Sequence, residues 1–328
     1  MSEQNVLHSA MVTNGGVIWA DTFIELVYRT ACVGTLLVFA LSPIYFMYID
    51  LLKAVVKTAL ADVMGHAVYD EQRFVFSLIL PLVHTIFYVL FNSIFFTFDL
   101  LKLCQQYKLN RKKHQIPTRA LLLRTLVEAF ISQIILTPVL AYYVQPVFVH
   151  YGMLDLASPL PAPKAIATAL VIAHLFNDFA FYFTHRILHH KAIYQYVHKQ
   201  HHEYSGTVSI SSEYAHGIEA LFSNILPTLG GVMLFPTHPL VVLVWLLMRM
   251  WQTYEVHSGF CFRGSLWDKL GLSHARGTAH HDFHHTVNVG NFGEGEYLDY
   301  VFGSMRPYME LGLMDGYINK LSRDAGKD

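Results

Sequence analysis

Four stretches of this chain stay apolar for longer than one face of a helix or strand requires. Residues 23–49, 74–98, 126–149 and 165–184 are dominated by Leu, Ile, Val and Phe, with no period of two and few polar interruptions. About 20 such residues suffice for a helix to cross a bilayer, so each stretch predicts one transmembrane helix. Pro43 and Pro138 fall inside two of them, and neighbouring helices can satisfy the backbone groups they free. A shorter apolar pair follows, at 218–235 and 239–251, punctuated by Pro227, Gly230-Gly231, Pro236 and Pro239. It predicts a helical hairpin, spanning or re-entrant, whose two ends lie on one side of the membrane. The expected fold is an all-α integral membrane protein of four transmembrane helices plus this hairpin, with the remaining polar segments forming a helical cap. Membrane helices are expected over 1–164, a catalytic unit over 165–310 and a tail over 311–328.

The polar positions between the spans orient them. Lys102, Lys108, Arg111, Lys112, Lys113 and Arg119 crowd the connection between the second and third stretches, while 151–163 holds no Lys or Arg. Basic residues collect in cytosolic loops, so the first connection is expected in the cytosol and the second in the lumen. The fourth span then returns to the cytosol, followed by Arg186, Lys191 and Lys199. Lys53, Lys57 and Arg73 run against this pattern, and an amphipathic helix lying in the interface over 50–73 would accommodate them. No cleavable signal peptide is expected, because Asn14-Gly15-Gly16 stands where its apolar core would be.

Composition agrees with a chain partly solvated by lipid. Charged residues make up 14%, against about 25% in soluble domains. A net charge of -1 argues against the dense basic surface that phosphate binding relies on, so no nucleic-acid partner is expected. Cys32, Cys104 and Cys261 are too scattered for a disulfide framework or a CxxC metal pair.

Histidine changes the picture. Fourteen of the twenty histidines fall between His185 and His285, most of them in three clusters. These are His185 with His189 and His190; His198 with His201 and His202; and His280-His281 with His284-His285. Side chains three and four apart share a helix face, so each cluster can aim several imidazoles at one point. His66, His84, His150, His174, His238 and His274 read as structural. Gathering eight or nine imidazoles away from water is costly without a metal. A structural zinc takes four ligands, so this many implies two ions. Arg186 and Lys199 follow the leading histidines, so the Glu of the zinc-protease pattern H-E-x-x-H is absent. An iron pair that activates O2 fits better than a membrane zinc hydrolase or a non-catalytic metal-binding protein. Asp178, seven residues before His185, shares its helix face and is expected to accept an N–H from a bound imidazole. Asp299 is a similar candidate.

Over residues 178–307 the box order H-R-x-L-H-H, H-K-x-H-H, H-H-x-x-H-H resembles the fatty acid hydroxylase/sterol desaturase superfamily. Within it the chain looks most like the C-4 methylsterol oxidases. That likeness rests on the Glu213–Glu219 run E-Y-A-H-x-x-E, on Val256-His-Ser-Gly-Phe260, and on Gly290-Asn-Phe-Gly293 followed by Tyr297-Leu-Asp-Tyr-Val-Phe-Gly303. Gly217, Gln252, Phe260 and Asn177 depart from the usual Pro, Glu, Tyr and acidic residues of that group, and none of them is a box histidine. The resemblance implies two iron ions and O2-dependent oxidation of a sterol 4-methyl group through alcohol and aldehyde to acid. It also implies His257 as a further ligand, and His216 near the substrate or behind a ligand. Electrons would come from NAD(P)H through cytochrome b5 or its reductase, a separate protein because no H-P-G-G haem motif occurs here. An endoplasmic reticulum membrane with a cytosolic active site is the implied location. A hydroxylase of a fatty-acyl, sphingoid or alkyl-glycerol lipid is the alternative within the same chemistry. An apolar substrate wall is expected from Phe179, Phe181, Tyr182, Phe222, Leu226, Trp245 and Met248.

Overall fold

The computed structural model describes the backbone of residues 3–64 and 70–325; His66 lies outside them. Its first helices are α1 (Glu3–Met64), α2 (Glu71–Leu100), α3 (Arg119–Ile131), α4 (Thr137–His150) and α5 (Pro163–Leu188). The Asp70 carboxylate caps α2 by accepting the Arg73 N–H at 3.1 Å, and α5 opens on Pro163, where a missing N–H is harmless. One wider π turn, Ser132–Leu136, joins α3 to α4. Four helical segments are long and apolar enough to cross a membrane: Leu26–Thr58, Glu71–Leu100, Lys113–His150 and Pro163–Leu188. Their outward side chains include Leu36, Phe96 and Ile134, which are 71, 66 and 62% exposed. Such a belt requires an apolar solvent, and the protein is a multi-pass membrane protein.

The hairpin is α6 (Gly217–Glu219), a π turn (Ala220–Ile225) and α7 (Leu226–Met233), returning through α8 (Pro239–His257). Its tip meets the connection between α4 and α5, where the Leu154 N–H donates to the Thr237 carbonyl at 2.9 Å and His238 Nε2 to the Ser158 carbonyl at 3.0 Å. From that contact the 19 residues of α8 rise about 28 Å to His257. The hairpin therefore runs the length of the bundle. Gly230-Gly231, read from sequence as a break, lies within α7. A Cβ on Gly231 would come within 2.6 Å of the Ala173 backbone, and one on Gly230 within 2.6 Å of the Phe176 ring. Small residues let helices approach closely where no hydrophobic effect drives them together.

The interfacial helix expected over 50–73 is not separate. α1 continues through Met64, and Lys53 lies 4.0 Å from Glu71 on α2. The remaining helices build the cap: α9 (Leu266–Lys269), α10 (Ala275–Val287), α11 (Glu296–Val301), α12 (Arg306–Glu310) and α13 (Leu313–Ala325). α13, read from sequence as tail, docks on α10, where the Tyr317 hydroxyl donates to Asp282 at 2.7 Å. No strand is present among the described residues, only an isolated bridge between Lys108 and Phe260.

Candidate metal centre

Four backbone features bring the histidines together. α5 carries His185 inward and stops at Leu188, so His189 occupies the bend beyond it. The turns after it present His198 and His202 on one face and His201 on another, while α8 ends on His257. α10 contributes His281, His284 and His285. The result is two groups. In one, His185, His189, His198, His202 and His284 bring ring nitrogens within 4.8 Å of one another; in the other, His201, His257, His281 and His285 do the same.

The hydrogen bonds on the outer side of these rings decide what the inner side can do. His185 Nδ1–H donates to the Phe292 carbonyl at 2.7 Å, and His284 Nδ1–H to the Gly290 carbonyl at 2.7 Å. His285, His201 and His257 donate in the same way to Tyr204, Tyr214 and Thr253 at 2.9, 3.2 and 2.8 Å. A neutral imidazole has one proton. With that proton committed to a carbonyl, each of these five Nε2 atoms turns a lone pair inward, toward the ring nitrogens of His189, His198, His202 and His281. The Nε2–Nε2 separations are 3.1 Å for His185–His198, 3.1 Å for His189–His284, 2.9 Å for His257–His281 and 3.1 Å for His281–His285.

Protonation does not relieve the crowding. Burial, then neighbouring imidazoles, holds His189 down to about 2, and burial holds His201 down to about 4. Burial and the surrounding rings also push His198, His202, His281, His284 and His285 below the ordinary imidazole range. Neutral rings with converging lone pairs and backbone-fixed Nδ1–H groups are the donor set of a metal site, and the residues present fit two ions.

Nine of the ten histidines expected as ligands fall in these groups. His190 does not: it is exposed, and its Nδ1 accepts the Ala192 N–H at 3.3 Å. His216 is likewise spent on the backbone, accepting the Ile218 N–H at 3.2 Å. Asp178 reaches His174 at 3.3 Å and accepts from the Tyr297 hydroxyl at 3.0 Å, so it sits one turn too far up α5 to touch His185. Asp299 acts at one remove: it accepts the Phe292 and Gly293 N–H groups at 2.8 and 2.6 Å, fixing the strap whose Phe292 carbonyl receives His185. His280 is buried, 3.4 Å from Asp299. The carboxylate that does meet a grouped imidazole is Glu219, 2.9 Å from His198 Nδ1. Its place in the E-Y-A-H-x-x-E run was the available signal. Arg111, from the basic connection, forms a two-pronged pair with Asp282 at 2.7 and 2.6 Å, and no local pattern announces it.

A cavity of about 240 Å3 opens from the imidazoles into the bundle. His185, His198, His201, His257 and His281 form its floor, and Phe76, Leu80, Leu140, Val144 and Leu246 are among its walls. Of the wall expected from sequence only Phe181 lines it. Phe179, Phe222 and Leu226 are 56, 50 and 47% exposed on the outer surface, and Trp245 is packed inside α8 with its N–H on the Thr228 carbonyl at 2.7 Å.

Residues 170–304 match the model of the fatty acid hydroxylase family. A Dictyostelium discoideum protein provisionally named methylsterol monooxygenase is 33% identical over 230 residues, 69% of this chain and 82% of that protein. Methylsterol monooxygenase 2-2 of Arabidopsis thaliana is 36% identical over 170 residues, 51% of this chain and 62% of its own. A very-long-chain aldehyde decarbonylase of Oryza sativa is 34% identical over 171 residues, 50% and 63% of the two. The chain thus spans less than two thirds of these plant relatives' length. No solved structure matches.

Proposed function

The chain belongs to the fatty acid hydroxylase family, and we propose that within it this protein oxidises the C-4 methyl group of sterol precursors, using O2 and a non-haem iron pair. The observation that carries the reading is the floor of the cavity: two groups of neutral imidazoles, lone pairs inward, open onto an apolar space inside a membrane bundle. The likeness to proteins named methylsterol monooxygenase supports the substrate class. Residues 165–310 would form the catalytic unit, completed by walls from α2 and α4.

Bound to these imidazoles, two irons would supply O2 activation; the protein supplies position. A sterol moving from bilayer to cavity keeps its apolar surface out of water, so the demand on the site is orientation of one methyl group. The carbonyl-anchored rings hold fixed directions, and Glu219 steadies His198. The reading is tested by supplying 4-methylsterols to the intact protein in membranes with NAD(P)H and cytochrome b5 and its reductase. Oxygenated 4-methyl products are expected. Turnover of a fatty-acyl or alkyl-glycerol lipid, with every 4-methylsterol untouched, would move the protein to another substrate.

We also propose an endoplasmic reticulum location with the imidazoles on the cytosolic side, where a soluble-face electron carrier can reach them. The basic connection is tied to α10 by Arg111, and the hairpin tip meets the uncharged connection at the other end. Cysteines introduced at Asn110 and Gln195, in a chain lacking Cys32 and Cys104, should label from the cytosolic side. A cysteine at Ala157 should label from the opposite side. Gln195 labelling together with Ala157 would reverse the site.

A further inference from the structure

One stretch of the cavity wall is polar and incompletely paired. Glu213 accepts from the Gln133 amide nitrogen at 2.6 Å and from the Tyr254 hydroxyl, and His84 Nε2 stands 3.4 Å from the same carboxylate. All four residues line the cavity. With its nitrogen turned to Glu213, Gln133 leaves its oxygen Oε1 without a partner, although the residue is only 2% exposed. His84 Nδ1 is unpartnered as well. Buried polar atoms are nearly always paired, and both residues line the cavity.

The geometry around Gln133 is specific to this position. It sits in the π turn Ser132–Leu136, and such insertions commonly mark functional sites in helices. The Gln133 oxygen is an acceptor. A ligand that satisfies it must bring a hydrogen-bond donor, which excludes a carboxylate, an ester or a thioester as the group bound here. A sterol, the substrate class proposed above, brings one such donor, its alcohol.

We propose that Gln133 and His84, oriented by Glu213, form the subsite that binds the free hydroxyl of the lipid substrate. The inference rests on the sterol-oxidising reading above and adds the group that selects and places the substrate. Position follows from the chain: Tyr254 precedes the grouped His257 by three residues on α8, a rise of about 4.5 Å. The Tyr214 carbonyl, next to Glu213, receives His201 Nδ1–H at 3.2 Å. A hydroxyl held here shares the cavity with the imidazole floor, a placement that suits a reacting carbon near the alcohol carbon. A 4-methyl group beside a 3-hydroxyl meets that requirement; a chain terminus far from the hydroxyl does not.

The test uses the intact protein in membranes, with a 4-methylsterol and its 3-deoxy analogue, which removes the donor and adds no bulk. A site that binds a hydroxyl rejects the analogue lacking it, so kcat/KM is expected to fall at least about tenfold for the 3-deoxy sterol. Gln133→Leu should lower kcat/KM for the alcohol by a similar factor, bring the alcohol-to-deoxy ratio toward one, and retain the bound metal. His84→Phe is a second variant with the same expectation. Equal turnover of the two sterols by the intact chain overturns the subsite while leaving sterol oxidation standing, as does full preference for the alcohol in both variants. Turnover of neither sterol overturns the subsite together with the reading it rests on.

Discussion

Replacing His284 with alanine is expected to abolish lipid oxidation, to below about a thousandth of the intact rate, and to empty the five-imidazole group. His284 lies against two other rings of the group, with Nε2 3.1 Å from His189 and 3.2 Å from His202. Its Nδ1–H bond to Gly290 fixes the direction of that lone pair. Alanine removes a ligand and leaves a void that no adjacent side chain can fill with a lone pair. His201→Ala should act alike on the four-imidazole group. Elemental analysis of gently purified protein should give about two irons per intact chain and about one or fewer in each variant. His190→Ala is the contrast, because that ring faces outward; it should keep both metal and activity. Metal loss in His190→Ala equal to that in His284→Ala would sink the assignment. So would consistent recovery of a single zinc from an intact protein with no iron-dependent turnover.

The choice between His189 and His190 shows where sequence reading stops. His189 stands four residues after His185 and shares its face, while the family resemblance leaves His190 open as well. The last helical hydrogen bond, from the His189 N–H to the His185 carbonyl, carries that phase as far as His189; His190 lies past it and is exposed. The boxes themselves were legible because H-x-x-H-H is a short-range pattern. Of the carbonyls that receive Nδ1–H groups, those of Tyr204, Tyr214, Gly290 and Phe292 lie in turns whose paths depend on tertiary contacts. Asp178 meets His174 for a related reason: helical phase places it on His185's face, but His174 is nearer along that face and takes the contact. The cavity wall failed most fully. Hydropathy does not distinguish a phenylalanine facing lipid from one facing a cavity, and Phe179 and Phe222 face outward. The four spans were legible for the same reason, since lipid and cavity both demand apolar residues.

The contact least legible in sequence carries the other large expected effect. Arg111→Leu should destabilise the protein by about 3–5 kcal/mol, the cost of stranding one member of a buried ion pair. Asp282 is 0% exposed and lies on α10 between His281 and His284. Its carboxylate accepts both Arg111 prongs, the Thr207 hydroxyl at 2.7 Å and the Tyr317 hydroxyl at 2.7 Å. Burial alone would raise this carboxyl; the guanidinium outweighs it and holds the group below its ordinary value of 3.8. A depressed folded-state value means that the pair's contribution is present at neutral pH and is lost only on acidification below about pH 4. Without Arg111 the carboxylate keeps only neutral donors, and α10 loses the anchor that holds three imidazoles in line. The unfolding midpoint in detergent should fall by roughly 5–15 °C, with partial loss of iron, although Arg111 touches no histidine of either group. Asp282→Asn in the Arg111→Leu background should recover part of the loss by removing the stranded charge. Tyr317→Phe should cost about 1 kcal/mol, because a neutral donor is lost and the ion pair remains. An Arg111→Leu protein that unfolds within a degree or two of the parent, with its iron intact, would show that α10 is held by its apolar packing on α13 and not by the charge pair.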